Sequence, residues 1–297
     1  MNYVQRLCDQ NITFNVICEK DAENIMKKEY SYYKLMEYSQ LFEKYKTTSK
    51  QGKFVKLDFS QLYYLAVIDF RLSQILMCMC LEIENVLKTK LISDADKVSD
   101  NQNFFREYYN SESSYFKQTY NAENIEILRM SDFEGTVDSL ELPQFLNVLQ
   151  FGTLEKLIHF FYKKYAVQIY KTEFAPFENE LYSIRRIRNL VAHNNSILSK
   201  LNIKTEHRNL KLSAYLGKKG IKNKTLTTNL SKIIVSDLCN LLYVYFNIIE
   251  DNNAVLRMLE EFDKQCWQKY QGYFEENYSL KSVYFFIKKI ILIMIDK

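Results

Sequence analysis

Residues 58–92 read DFSQLYYLAVIDFRLSQILMCMCLEIENVLKTKLI, and this stretch decides the fold class. Its apolar positions Leu62, Leu65, Leu72, Leu76, Met79, Ile83 and Val86 recur at steps of three and four. That period lays them in one stripe along an α-helix, whereas a half-buried strand would alternate at every second residue. Asp58 is placed as N-cap, because a short carboxylate accepts the unsatisfied N–H groups of a first helical turn. The spacing predicts a helix from just after Asp58 to about Ile92. Asp69 falls on the apolar stripe and Glu84 on the line beside it. A carboxylate in such a place requires a cationic or hydrogen-bonding partner, and we read both as internal ion pairs holding helices in register rather than as catalytic groups.

Outward from this helix the same period dominates. Tyr30 to Phe42 reads as a short amphipathic helix, and Lys46 to Lys53 as a polar connection with Gly52 as its turn residue. Residues 93–140 are polar and irregular with helical pieces between. Leu142-Pro143 opens a helix, Phe151-Gly152-Thr153 marks a turn, Leu154 to about Tyr170 is helical, and Pro176 ends that region. Phe177 to His193 is a further helix. After a basic segment and a polar turn at Thr225 to Asn229, an apolar helix runs from Leu230 to Ile249, and another carries Leu256, Met258, Leu259 and Phe262. The tail from Val283 to Ile295 is apolar, but Lys288-Lys289 interrupts it and Ile290 to Ile295 is too short to span a bilayer. It reads as a terminal core helix or a partner-binding one.

Only 2 Pro and 6 Gly punctuate 297 residues, which favours long helices with short connections. With no strand-rich block, internal repeat or linker, the expectation is an all-α helical bundle in one domain with elaborations. Its parts are an N-terminal elaboration over 1–56, a core over 57–250 and C-terminal helices over 251–297. Apolar residues at 47% and charged residues at 26% exclude a disordered chain. The 23 Tyr and 20 Phe supply a bulky core, or stacking platforms should a nucleic acid bind. The six cysteines lack Cys-x-x-Cys spacing and the histidines 159, 193 and 207 do not cluster near them, so neither a metal site nor a cofactor is expected. Met1-Asn2-Tyr3-Val4 does not begin a signal peptide, and reduced thiols in the cytoplasm, away from membranes, follow as the expectation.

Charge is unevenly placed. Between Lys200 and Lys224 stand eight basic residues and one acid, a net of +7 that leaves −3 for the remainder of a chain whose total is +4. Such a stretch fits a polyanion, and within it Lys211, Lys218 and Lys219 are expected to add RNA affinity rather than chemistry. A solvated loop without a partner has the same composition.

The helix ending at His193 carries the chemistry. At 100° per residue, Arg185, Arg188, Asn189, Ala192, His193 and Ser196 fall within an arc of about 140°, with Ile184, Ile187, Leu190 and Val191 opposite. Asn189 and His193, four apart, are neighbours on that face. These groups suit phosphodiester cleavage in RNA. An imidazole takes the proton of the attacking 2′-hydroxyl, and a forked guanidinium meets the charge gathering on the non-bridging oxygens. An amide holds the imidazole tautomer or a phosphate oxygen. The reaction requires no metal and leaves a 2′,3′-cyclic phosphate and a 5′-hydroxyl. Arg188, Asn189 and His193 are thus the candidate catalytic residues, with Arg185 as an RNA contact.

Four separated segments carry a resemblance. Tyr30 to Tyr38 comes first, then Leu62-Tyr63-Tyr64-Leu65 leading into Asp69-Phe70-Arg71-Leu72 and Leu81-Glu82-Ile83-Glu84-Asn85-Val86-Leu87-Lys88. Leu142-Pro143 is followed by Leu149-Gln150-Phe151-Gly152-Thr153-Leu154, and then by Ile184-Arg185-Arg186-Ile187-Arg188-Asn189-Leu190-Val191-Ala192-His193-Asn194-Asn195. Over roughly residues 25–250 the chain resembles the Abi-like family of bacterial abortive-infection proteins, of AbiD and AbiF type. That family is placed among the HEPN proteins, helical bundles with an Arg-x(4–6)-His motif that often act as metal-independent ribonucleases. The resemblance implies phage defence, RNA cleavage on activation, and pairing of two motifs across a homodimer. It lays the motif's Arg, Asn and His on Arg188, Asn189 and His193. Neither His159 nor His207 has an Arg at that spacing before it, so one chain supplies half a site. Relatives often carry a basic residue shortly after the His, where Ser196 stands here. The competing readings are a non-catalytic RNA-binding or regulatory module restrained by an RNA or protein partner, and a protein-interaction scaffold.

Overall fold

A computed structural model describes residues 3–47, 49–98, 103–114, 116–117, 120, 140–171, 177–205 and 209–296. Its described elements are helical apart from one short parallel pairing, in which β1 (Ile12–Thr13) aligns Ile12 with Leu57 and Thr13 with Asp58 of β2 (Leu57–Asp58). The chain is all-α in class. It forms two compact units, Met1–Cys80 with Arg186–Lys297, and Leu81–Arg185.

The first unit begins with α1 (Tyr3–Asp9), α2 (Glu19–Lys28) and α3 (Tyr32–Tyr38). Ser31 starts α3 by accepting from the Lys34 N–H at 3.2 Å, and Leu35 and Tyr38 turn into the core. Gly52 occupies the left-handed region at φ 81°, as a turn residue in the predicted connection should. Helix α4 (Phe59–Ala95) follows, and its cap is the expected one. Asp58 Oδ1 accepts from the Ser60 N–H at 3.0 Å, while Gln61 reaches back to the Asp58 N–H at 2.9 Å, a reciprocal arrangement that satisfies both orphan donors. Leu62, Leu65, Leu76, Met79 and Ile83 are buried as the stripe predicts, Leu72 and Val86 only half so, and the line continues through Leu87 and Leu91. By length and composition α4 is long and apolar enough to cross a membrane, a test that a buried core helix passes equally.

The second unit holds the remainder of α4 with α5 (Asn103–Ser111), α6 (Leu142–Val148) and α7 (Phe151–Tyr170). Phe104, Phe105, Phe145 and Phe161 form a cluster of ring contacts at its centre. Asp94 lies in the last turn of α4, not in an irregular segment, and is fully buried. It accepts from Tyr162 at 2.7 Å, from Lys97 at 2.7 Å and from Tyr170. Burial pushes its carboxyl up, but the hydrogen bonds from Lys97, Tyr170 and Tyr162 outweigh that and hold it below the usual range. Glu84 pairs with Lys88 at 2.9 Å within α4 itself, so it does not tie helices together as expected. Helix α7 begins at Phe151 rather than after it. Gly152 is a helical residue, and a Cβ there would meet Arg185 Cδ at 3.3 Å, so its smallness admits a side chain rather than a turn. Pro176 and all of 121–139 lie outside the described residues.

Helix α8 (Leu181–Ala192) passes from the second unit into the first. Beyond it come α9 (Leu210–Lys218), α10 (Asn223–Leu230), α11 (Ile233–Ile248), α12 (Asn253–Phe262) and α13 (Tyr278–Ile295). The predicted polar turn at Thr225 to Asn229 is helix. Two apolar residues four apart, Leu226 and Leu230, suffice to bury one side of α10. Helix α13 packs on α11 through Leu280, Val283, Phe286, Ile290 and Met294, and the tail is a core helix of this unit.

Candidate functional site

Helix α8 divides its residues much as the period predicts. Ile184, Ile187 and Val191 are buried, Arg188 is half-buried, and Asn189, Ala192 and His193 are exposed. The helix stops at Ala192 for a specific reason. Asn194 adopts φ 50°, with its N–H bonded to Val191 O at 3.0 Å, while the Asn195 N–H reaches Leu190 O at 2.9 Å. This is a Schellman closure with Asn, the non-glycine residue most tolerant of left-handed backbone, at its turning point. His193 therefore sits at the C-cap, still held by its own N–H to Asn189 O at 3.2 Å. The chain then leaves the helical path, so Ser196, expected on the motif face, is instead fully buried, with its hydroxyl accepting from the Ser199 N–H at 3.2 Å.

The three arginines of this helix have different surroundings. Arg185 Nε lies 2.8 Å from Glu155 Oε2, and its guanidinium stacks 5.0 Å from the Tyr182 ring centre. Burial pushes the Glu155 carboxyl up, partly offset by Arg185. Arg186 grips Asp237 through two bonds, Nε to Oδ2 and Nη2 to Oδ1, each 2.5 Å. Asp237 is buried on α11, so this fork holds α8 on the core of the first unit. Arg188 has its Nε buried with no hydrogen-bond partner. Among the described residues the Asn189 amide and the His193 ring likewise make no side-chain hydrogen bond.

Asp69, read from the sequence as half of an ion pair, has a different role. It is 2% exposed and accepts from Tyr38 Oη at 2.8 Å, from the Ile197 N–H at 3.0 Å and from the Leu198 N–H at 3.1 Å. The carboxylate caps the short 3₁₀ turn Leu198–Lys200 that follows the motif. Burial pushes its carboxyl above the usual range against these donors. Pattern reading could flag the buried acid but not acceptors and donors separated by more than a hundred residues.

In the basic segment, Lys211 and Lys218 are exposed on α9, seven residues and two turns apart, so they lie along one face opposite Leu212 and Leu216. Lys219 is exposed beyond them and donates to Asp296 O at 3.3 Å. Much of the stretch is thus helical rather than a loop, and Arg208 and His207 lie outside the described residues. His159 is bound to Glu178 at 2.5 Å in the second unit. Among the described residues no three His, Cys, Asp or Glu side chains are grouped as a metal would require, and the six cysteines are free.

The described residues are thus almost wholly helical, with an Arg-Asn-x-x-x-His sequence closing an exposed helix end. Residues 26–199, more than half of the chain, match the family described as Abi-like protein, and the chain belongs to that family. Membership supports a role in phage defence by abortive infection. No curated protein and no solved structure matches the chain.

Proposed function

We propose that this chain is a HEPN-type, metal-independent endoribonuclease in which Arg188, Asn189 and His193 act on the RNA phosphodiester and two copies complete one site. The observation that carries the reading is the contrast within α8. Arg185 and Arg186 are each neutralised by a carboxylate, whereas Arg188 keeps a buried Nε without an acceptor beside the open Asn189 and His193. An unmet buried donor costs about 1–3 kcal/mol, and a phosphate oxygen or a partner's acceptor would recover it. Arg185, ion-paired with Glu155 at 2.8 Å, retains its outer nitrogens for RNA.

In this mechanism His193 takes the 2′-hydroxyl proton while the 2′-oxygen bonds to phosphorus and the bond from phosphorus to the 5′-oxygen breaks. The Arg188 fork meets the charge on the non-bridging oxygens. The departing 5′-oxygen needs a proton, and a second His193 in its imidazolium form supplies it from the other copy across a two-fold axis. The purified chain is expected to cut mixed-sequence single-stranded RNA in excess EDTA. RNA left intact by the folded protein contradicts the reading. Sedimentation at micromolar concentration is expected to give a two-chain species, and a fully active monomer would exclude the shared site.

Lys211, Lys218 and Lys219 supply affinity in this reading. Neutralising all three should flatten the log–log salt dependence of RNA binding by about 2, at roughly 0.7 per phosphate contact to a single strand. An unchanged affinity and slope would make the face idle.

A further inference from the structure

His193 is exposed and its ring makes no hydrogen bond to another described side chain, so the backbone turn that carries it sets where its side chain starts. That turn is gripped from outside the helix. Lys34, on α3, donates from Nζ to Asn194 O at 2.6 Å, one residue beyond the histidine and 160 positions away in sequence. One turn further along α3, Tyr38 donates to Asp69, which holds the N–H groups of Ile197 and Leu198. Lys200 closes the same segment from its far side, Nζ to Ser196 O at 2.9 Å. Residues 194–198 are therefore fixed at both their carbonyl and amide groups, largely by one helix and one buried acid.

The grip on Asn194 is built rather than incidental. Lys34 is a half-buried residue, and burial draws its pKa below the usual lysine range, countered in part by Asp69 and Glu37. Ordering a lysine side chain costs conformational entropy, which the hydrogen bond to Asn194 must offset. Carbonyls left unsatisfied at a helix C-terminus carry partial negative charge, and an ammonium there is favourable.

We propose that Lys34 is a positioning residue for His193, holding the Asn194 carbonyl so that the imidazole stays aligned with its substrate. The assignment rests on the reading of His193 as the group that moves the proton, and it predicts a loss in turnover rather than in RNA affinity.

The test compares Lys34→Met, Lys34→Arg and wild type as full-length protein with single-stranded RNA in EDTA, alongside ring signals from ¹³C-labelled histidine. The chain has three histidines, and the His193 signal is the one absent from His193→Ala. Lys34→Met should lower kcat roughly tenfold with KM held, since small misplacements of a reacting group cost that much or more. The His193 signal should shift or broaden while those of His159 and His207 stay. Lys34→Arg, which can still donate to Asn194, should restore most of both. If Lys34→Met fails to fold, Lys34→Gln is compared with Lys34→Arg in the same way. An unmoved His193 signal with unchanged kcat overturns the proposal, and so does a raised KM with kcat intact, which would make Lys34 an RNA contact. If wild type cuts no RNA, the nuclease reading fails on its own, and the histidine signals alone decide whether Lys34 positions the ring.

Discussion

His193→Ala is expected to lower RNA cleavage by roughly a hundredfold or more while leaving the melting temperature and RNA affinity close to wild type. The chemical part follows from the proton that the 2′-hydroxyl must lose. The stability part follows from position: His193 is exposed at the C-cap, and the bonds that close the helix there are made by backbone atoms of residues 189–195, which an alanine retains. Arg188→Lys should also be clearly impaired, because a single ammonium cannot present the planar fork to two phosphate oxygens. Cleavage and binding assays on both variants, with thermal melts as control, check this. Wild-type cleavage in His193→Ala would remove the catalytic assignment, and a melt lowered in step with activity would make the polar face structural.

The opposite behaviour is expected two residues before the motif. Arg186→Ala leaves Asp237 buried, at 1% exposure, without the guanidinium that grips both its oxygens. Removing one partner of such a pair costs about 3–5 kcal/mol, because the remaining charge stays in the core. Activity should fall through unfolding, and denaturant melts should show it. Replacing both partners, as Arg186→Met with Asp237→Leu, should recover most of the loss, since no uncompensated charge is left. A single variant as stable as wild type would mean that other groups or water hold the Asp237 charge. Arg186 and Arg188, two residues apart in one helix, are thus expected to differ in kind, one set for the fold and the other for a ligand.

Local periodicity made the helices legible. The cap at Asp58, the stripe of α4 and the buried isoleucines of α8 follow from spacing alone, as does the exposure of Asn189 and His193. What escaped the sequence was set by distant partners. Asp69 reads as an acid in need of a cationic or hydrogen-bonding partner, taken as an ion pair, yet two backbone N–H groups and a tyrosine satisfy it, donors that any sequence could supply. Gly152 reads as a turn, but its lack of a Cβ serves the passage of the Arg185 side chain. Ser196 leaves the motif face because Asn194 turns left-handed, a choice that Asn permits and does not announce. The grouping of 1–80 with 186–297 in one unit depends on contacts between segments far apart in the chain, to which periodicity is blind.

Cleavage at the open end of α8 by Arg188 and His193 fixes the chemistry of the ends it leaves, because the 2′-hydroxyl is the attacking group. Those ends can be mapped on RNA incubated with the purified chain in EDTA. They are expected to be 2′,3′-cyclic phosphate and 5′-hydroxyl, and to vanish with His193→Ala. Products bearing 3′-hydroxyl and 5′-phosphate ends, or the same cyclic ends at an undiminished rate from His193→Ala, would contradict that chemistry.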